Sequence, residues 1–99
     1  MTLPLILSPR ARADLDDIWA FSAATWSPAQ ADRYLKGMDE VLHLLCRQPG
    51  VARLKHEVYP SVRLHPYRSH IIFFRSDAGT MDVIRILHAR SESQSEIAK

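Results

Sequence analysis

Hydrophobic residues recur with helical spacing through the first half of the chain. Ser8 and Pro9 form a helix start signal, an N-cap followed by proline at the first helical position, and the apolar series after them predicts a helix that ends near Trp26. Ser27-Pro28 repeats this signal, and Gln30 completes a capping box. The second helix has the most regular apolar series in the chain: Ala31, Tyr34, Leu35, Met38, Val41, Leu42 and Leu45.

The second half of the chain changes from helical to strand spacing. Pro49-Gly50 ends the second helix, and Val62 to Tyr67 then alternates apolar and polar residues. Two further β-rich runs follow, Ser69 to Arg75 and Met81 to His88. The turn residues Asp77-Ala78-Gly79 separate them, so the pattern predicts three consecutive antiparallel strands.

Together these elements predict a two-layer α+β fold in the order β-α-α-β-β-β. The opening apolar run Leu3 to Leu7 contains Pro4 and suits an edge strand, because proline cannot donate to a central ladder. The short connection between the helices predicts an antiparallel helix hairpin, packed on a largely antiparallel sheet. A length of 99 residues predicts a single domain over residues 1–99, of which 91–99 form a polar C-terminal tail.

Both faces of the last two predicted strands are apolar. Strict alternation places Ile71 and Phe73 opposite Ile72 and Phe74. Two helices can cover only one face of a sheet, so the other face is either covered by something else or forms an exposed apolar patch of the kind that marks partner sites. In the final strand, alternation places one apolar pair opposite another: Val83 and Leu87 against Ile84 and Ile86.

Composition narrows the class of protein. The net charge of +2 is too small to indicate a nucleic-acid binder by itself. Positive charge is nevertheless concentrated in residues 51–75, which carry five basic side chains against one acidic. Cys46 is the only cysteine, which excludes an intrachain disulfide. Neither a signal-peptide pattern nor an apolar run near the roughly 20 residues of a membrane span is present, so we expect a cytoplasmic protein that does not act at membranes.

Several local strings carry a family resemblance. They include Ala13 to Trp19, Ile71 to Arg75 and, most specific of all, Ile84-Arg85-Ile86-Leu87-His88-Ala89-Arg90. With the element order, they make nearly the whole chain resemble the ParE branch of the RelE/ParE toxin superfamily of type II toxin–antitoxin systems. Phe73-Phe74 and Ser91-Glu92 depart from the family's usual residues at those places.

The resemblance implies a toxin that binds bacterial DNA gyrase, with the A subunit as the expected contact, and that a ParD-like antitoxin neutralises in a hetero-oligomer. It implies no catalysis, no cofactor and no sequence-specific DNA binding. Two alternatives stay open: a RelE-like ribosome-dependent mRNA endoribonuclease, and a non-toxic relative that only binds antitoxin. RelE-like nucleases add an aromatic residue near the chain end, and here nothing aromatic follows Phe74, which favours the gyrase-directed branch.

Three residues of the final segment are the candidates for target binding: Arg85, His88 and Arg90. By alternation His88 shares a face with Ile86, which also suits a core or hydrogen-bonding role. Arg85 would project from the helix-free face near Arg63, or form an internal ion pair with Asp82 or Glu57. If the protein were a nuclease, the weak catalytic candidates would be Arg63, Arg85 and His88.

Four residues are candidates for antitoxin binding: Phe21, Leu44, Arg63 and Arg68. Phe21 and Leu44 fall off the apolar stripes of their helices, so each is either a scattered exposed residue or, if both flank one groove, a partner anchor. The arginines could equally form a solvated basic surface. His65, His70 and His88 lack the spacing of metal ligands, so no metal site is predicted.

Overall fold

A computed structural model describes residues 2–55, 61–76 and 78–90 of the chain. Two helices pack on a five-stranded sheet, which confirms the predicted two-layer α+β fold. A further short strand, Arg53–Lys55, precedes the three strands that the pattern predicted, and its three residues are too few to show a period. In chain order the elements are β1 (Leu5–Leu7), α1 (Pro9–Thr25), α2 (Pro28–Arg47), a 3-10 turn (Pro49–Val51), β2 (Arg53–Lys55), β3 (Val62–Tyr67), β4 (His70–Arg75) and β5 (Met81–His88).

The sheet has the strand order β1-β5-β4-β3-β2. β1 lies at one edge, as predicted, and pairs in parallel with β5, whereas all other neighbours are antiparallel. Only two residues join β3 to β4, since Tyr67 pairs directly with His70. The β4–β5 hairpin turns near Gly79, whose φ of +82° is a conformation that glycine adopts without strain. The sheet is therefore largely antiparallel.

Both helices begin at the predicted serine caps. Ser8 Oγ accepts a hydrogen bond from the Ala11 amide, and Ser27 Oγ accepts one from the Gln30 amide, each at 3.0 Å. A serine cap of this kind contributes about 1 kcal/mol to a helix. A capping box would also require the Gln30 side chain to accept the Ser27 amide. Its oxygen instead accepts a hydrogen bond from Arg33 Nη2 at 2.8 Å, so the second half of the predicted capping box is not formed.

The core between the layers is built from the predicted helix stripe and one face of the sheet. Met38, Leu42 and Leu45 of α2 are buried against Ile72 and Phe74 of β4. Cys46 is buried in the same cluster and fills the role of a small hydrophobic residue. Burial raises the pKa of the Cys46 thiol above its ordinary value, so the group stays protonated.

The predicted alternation fails in β5 because a β-bulge interrupts it. Phe73 pairs with Arg85, but the next residue, Phe74, pairs with Val83, so Ile84 is the extra residue of the bulge. A bulge changes which residues share a face, and alternation read from the sequence cannot detect it.

The bulge changes the face assignment on both sides of the sheet. Val83 and Ile86 both pack in the core beneath the helices, whereas Ile84 and Leu87 pack on the opposite face. The prediction that Ile84 and Ile86 share a face is therefore wrong. The assignment of β4, which has no extra residue, is confirmed: Ile72 and Phe74 face the helices, and Ile71 and Phe73 face away.

The sheet face away from the helices is buried at its centre. Val62, Phe73 and Leu87 are 0%, 1% and 6% exposed. The partly buried residues packed against them are Leu64, Ile71 and Ile84. Of the two alternatives drawn from the sequence, a covered face and an open apolar patch, the covered face describes these positions.

Candidate functional site

The β5 bulge is fixed by two side chains from the N-terminal end of α1. Ser8 Oγ donates to the Ile84 carbonyl at 2.7 Å. Asp14 Oδ2 accepts the Ile86 amide at 2.9 Å. One bond satisfies the carbonyl of the extra residue itself and the other an amide two positions later, so both side chains hold the strand at its irregularity.

Arg85 points toward α1, contrary to the prediction that it projects from the helix-free face. Its guanidinium donates two hydrogen bonds to the Asp14 carboxylate, at 2.8 and 3.0 Å. Both side chains are largely buried, with 13% and 11% of their surface exposed. The alternative prediction, that Arg85 forms an internal ion pair, is therefore confirmed, but its partner is Asp14 and not Asp82. The other predicted partner, Glu57, lies outside the described residues.

Arg63 does not join Arg85 in a cationic centre. Its Nη1 donates to the Ala52 carbonyl at 3.0 Å, beside β2 at the far edge of the sheet. Arg85 is on β5, two strands away, and is bound to a carboxylate. The prediction that Arg85 lies near Arg63 is thus wrong, because Arg63 is bonded to a carbonyl beside β2 and Arg85 to a carboxylate of α1.

An apolar groove of about 340 Å3 opens between α1, the start of α2 and the ends of β4 and β5. Two of its aromatic side chains project into solvent: Phe21 is 66% exposed and Trp26 is 63% exposed. Their rings meet edge to face with centroids 6.5 Å apart. We call this the aromatic groove; it is lined by Asp17, Ile18, Phe21, Ser22, Trp26, Tyr34, Ser69, His70 and His88.

Tyr34, His70 and His88 form a connected polar group in the aromatic groove. Tyr34 Oη lies 2.7 Å from Nδ1 of His70 and accepts the Ser69 amide at 3.3 Å. This arrangement suits a tyrosine hydroxyl that donates to a neutral imidazole. Burial lowers the pKa of His70, and the nearby charge of His88 lowers it further, while Asp14 acts in the opposite sense.

His88 is exposed at the end of β5. Of the two roles that the sequence allowed, the core position is therefore wrong and the hydrogen-bonding role is confirmed. Its ring meets that of His70 edge to face, with centroids 5.4 Å apart. Its Nδ1 accepts the Arg90 amide at 3.1 Å. Arg90 is exposed in the turn after β5, and the tail 91–99 lies outside the described residues.

A second opening, of about 440 Å3, adjoins the aromatic groove at the tip of the β3–β4 hairpin. Arg68 is exposed at this tip, and its guanidinium carbon lies 5.8 Å from the centre of the Tyr67 ring. We call this opening the cationic cleft; it is lined by Trp26, Gln30, Arg33, Tyr34, Tyr67, Arg68 and Ser69.

A glycine permits close packing behind the cationic cleft. Tyr67 Oη donates to the Tyr34 carbonyl of α2 at 3.0 Å. A side-chain carbon at Gly37 would collide with this hydroxyl and would lie 3.1 Å from Cζ of the ring. Gly37 is therefore the residue that lets Tyr67 lie against the helix backbone, a role that the helix pattern did not reveal.

The remaining antitoxin candidate, Leu44, lies apart from these openings. It is half-buried near the C-terminal end of α2, whereas the aromatic groove adjoins the start of that helix. Sixteen residues separate it from Pro28, which is about 24 Å along a helix. Phe21 and Leu44 thus do not flank one groove.

The fold defines a class: small α+β proteins in which a helix hairpin packs on a mostly antiparallel sheet, the architecture of RelE/ParE-like proteins. Residues 5–92 match the family model described as "ParE toxin of type II toxin-antitoxin system, parDE". The chain belongs to the ParE toxin family, which confirms the resemblance drawn from its sequence strings.

Individual relatives extend over almost the full chain. It is 33% identical over 93 residues to Toxin ParE1 of Mycobacterium tuberculosis, covering 93% of this chain and 95% of the relative. Toxin ParE1 of Caulobacter vibrioides is 30% identical over 94 residues, with coverages of 95% and 97%. A solved structure titled "Chromosomal ParDE TA system from P. aeruginosa" shares the fold, with a TM-score of 0.76 at 20% identity, covering 88% of this chain and 96% of that one.

Two properties of the described residues bear on partners. In the parts of the chain that the structure describes, neither helix combines the length and hydrophobicity needed to cross a bilayer. Within those same parts, no three histidine, cysteine or acidic side chains converge in a way that could hold a metal ion.

Proposed function

We propose that this member of the ParE family is a cytoplasmic toxin that inhibits DNA gyrase by binding the A subunit of that enzyme. We further propose that a ParD-like antitoxin neutralises the toxin. The family match over residues 5–92 carries the proposal. Inhibition by binding requires a stable recognition surface and no reaction of the toxin's own. The C-terminal end of β5, with His88 and Arg90 exposed, is the surface we assign to the target.

The setting of the polar residues supports binding over RNA cleavage. Cleavage through the 2′-hydroxyl requires a base, an acid and cations that stabilise the developing negative charge. Arg85 already neutralises a carboxylate, and Arg63 is bonded to a backbone carbonyl near the opposite edge of the sheet. His88 lies elsewhere again, in the aromatic groove. The three residues thus lack the shared focus that a catalytic site needs.

The aromatic groove supports the second half of the proposal, neutralisation by an antitoxin. Phe21 and Trp26 expose large rings at the rim, and aromatic side chains are the residues that most often dominate binding energy at protein interfaces. An amphipathic antitoxin segment would bury these rings, and burial at about 25 cal/mol per Å2 of apolar surface would supply most of the affinity. Outside the aromatic groove and the cationic cleft, the basic side chains within 51–75 would chiefly affect encounter rate.

A paired assay tests the proposal. Purified protein is added to gyrase during DNA supercoiling and, separately, to translating ribosomes, each with and without the antitoxin encoded next to its gene. We expect loss of supercoiling or trapped DNA breaks, reversed by the antitoxin, and intact mRNA on the ribosomes. Codon-associated mRNA cuts would replace the proposal with the RelE-like alternative. Inactivity in both assays, with antitoxin binding retained, would indicate a non-toxic relative.

A further inference from the structure

Arg68 adopts a backbone conformation that arginine rarely takes. It is the first of the two residues between β3 and β4, and its φ is +51°. Glycine and asparagine are the usual residues at such positions, because a side chain with a Cβ crowds the backbone there. Strain of this kind is typical of functional positions, where the side chain itself is needed.

The arginine places a cation at the hairpin tip, in an opening that a second cation also lines. Arg33 of α2 lines the same opening, and its Nη2 donates to Gln30 Oε1 at 2.8 Å. Two aromatic residues, Trp26 and Tyr67, also line this opening. Among the described residues that line the cleft, none is acidic, so its two positive charges meet no carboxylate from this part of the chain.

The cleft is continuous with the aromatic groove, because Trp26, Tyr34 and Ser69 line both openings. A peptide segment that buries apolar residues against Phe21 therefore reaches the cleft without leaving the surface. We propose that the cationic cleft binds an acidic side chain of the antitoxin segment, with its carboxylate between Arg33 and Arg68. This inference rests on the proposed function, since the antitoxin is the occupant.

The surroundings favour an acidic peptide over a nucleic acid. A nucleic-acid strand needs cations along its backbone, because affinity grows with the number of phosphates that are neutralised. The surface next to the cleft is instead apolar and includes Asp17, whose carboxylate would repel phosphate. A peptide with one acidic residue beside apolar ones matches both openings at once.

The pairing assigns a register to the antitoxin. Arginine binds a carboxylate through two parallel hydrogen bonds, which demands a particular orientation of the partner chain. Apolar contacts in the aromatic groove do not impose such a direction. The cleft would therefore decide which way the segment runs along the groove, and a shift by one residue would leave both arginines unpaired.

Charge-reversal kinetics test the proposal with the full chain and the antitoxin encoded beside it. Arg68→Glu and Arg33→Glu should each weaken affinity about tenfold, mainly through faster dissociation. Arg12→Glu on α1 is the control, because Arg12 is exposed, lies outside both openings and changes net charge equally. A lysine scan of the acidic antitoxin residues should find one substitution that restores tight binding to Arg68→Glu and not to Arg12→Glu.

A second variant separates a binding role from a structural one. Arg68→Asn suits a positive φ, so thermal unfolding should occur at the same or a higher temperature while antitoxin affinity still falls. Equal affinity losses for Arg68→Glu and Arg12→Glu would overturn the inference and leave the proposed function standing. Absence of antitoxin binding by the unaltered chain would overturn the proposed function itself. If Arg68→Glu instead abolished binding of a single-stranded oligonucleotide and left antitoxin affinity unchanged, the cleft would be a nucleic-acid site.

Discussion

Asp14 and Arg85 lie 71 residues apart in sequence and are joined by two hydrogen bonds of 2.8 and 3.0 Å. The same carboxylate accepts the Ile86 amide, so one side chain of α1 holds both a charge and a backbone group of β5. Such a junction fixes the helix hairpin relative to the sheet at the point where the bulge occurs. The aromatic groove opens between the same two elements, since both α1 and the end of β5 line it.

Removal of the carboxylate should therefore destabilise the fold strongly. Asp14→Ala would leave the Arg85 guanidinium without its carboxylate in a largely buried position, a change that costs about 3 kcal/mol or more of unfolding free energy. Urea denaturation measures the loss. Asp16→Ala, on the exposed side of α1, is the control and should change stability by less than about 0.5 kcal/mol.

Arg85→Met in the Asp14→Ala background should recover part of this loss, because no buried charge then remains without its carboxylate. If the double variant were as unstable as the sum of the two single ones, the ion pair would not be the source of the effect.

Gly37 offers a test in which helix propensity and packing have opposite signs. In an exposed helix, alanine is about 1 kcal/mol more stable than glycine. Here the added carbon would collide with the Tyr67 hydroxyl, so we expect Gly37→Ala to lower the unfolding temperature. Gly50→Ala is a control, since a side-chain carbon at Gly50 meets no atom within 4 Å.

In a Tyr67→Phe background the colliding oxygen is absent, and Gly37→Ala should be less harmful than in the unaltered chain. Gly37→Ala should also weaken antitoxin binding, since Tyr67 lines the cationic cleft. An equal stability loss in both backgrounds would show that the hydroxyl is not what excludes a larger residue.

Local signals in the sequence predicted the parts of the fold that local physics determines. Serine caps, prolines and apolar spacing located both helices, because helix ends and amphipathic faces depend on neighbouring residues. The β5 bulge depends instead on Ser8 and Asp14, which are more than 70 positions away. Alternation alone therefore assigned Ile84 and Arg85 to the wrong surroundings.

In the candidate site, too, features set by neighbouring residues could be predicted and features set by distant contacts could not. Phe21 was predicted to leave the helix stripe and is exposed at the groove rim, because its direction follows from helix geometry alone. Tyr34 instead belongs to the predicted core stripe, yet its hydroxyl reaches His70, 36 positions later, across the helix–sheet boundary. Contacts between residues so far apart in the sequence leave no mark on the spacing of apolar positions. The sequence therefore did not predict the polar group formed by Tyr34, His70 and His88.

Antitoxin binding should depend on the aromatic rim. Phe21→Ser removes a ring that is 66% exposed, so folding should be nearly unaffected while dissociation of the antitoxin becomes at least about tenfold faster. Val51→Ser is the matched control, because Val51 is also apolar and exposed but lies outside the aromatic groove. Surface-captured kinetics measure both. Similar dissociation rates for Phe21→Ser and Val51→Ser would exclude the aromatic groove as the antitoxin site. Leu44→Ser, measured in the same series, tests for a second antitoxin contact at the other end of α2.

Toxicity should depend on the chain beyond β5 more than antitoxin binding does. Arg90 is exposed beside His88 and is not one of the residues that form the core between the layers. The tail that follows it is polar in sequence. Truncation after Ser91 and Arg90→Ala should each reduce gyrase inhibition several-fold while antitoxin affinity changes less than about twofold. Arg47→Ala, at the end of α2, is the control. Full gyrase inhibition by the truncated chain would exclude a role for the tail.

The stability of the fold should fall as the pH drops below about 6.5, and His70 should account for part of the loss. Its pKa is lowered in the folded state, chiefly by burial and further by His88, so below the ordinary histidine pKa the unfolded chain binds more protons than the folded one. Protonation of His70 would also make Nδ1 a donor, so the Tyr34 hydroxyl would have to turn its proton away and accept from the ring instead. The stabilising effect is therefore complete above about pH 6.5 and is lost progressively as the pH falls toward the lowered pKa.

His70→Gln should flatten this pH dependence in urea denaturation between pH 8 and pH 5, whereas His43→Gln, at an exposed position of α2, should retain it. An unchanged slope in His70→Gln would assign the pH dependence to other groups.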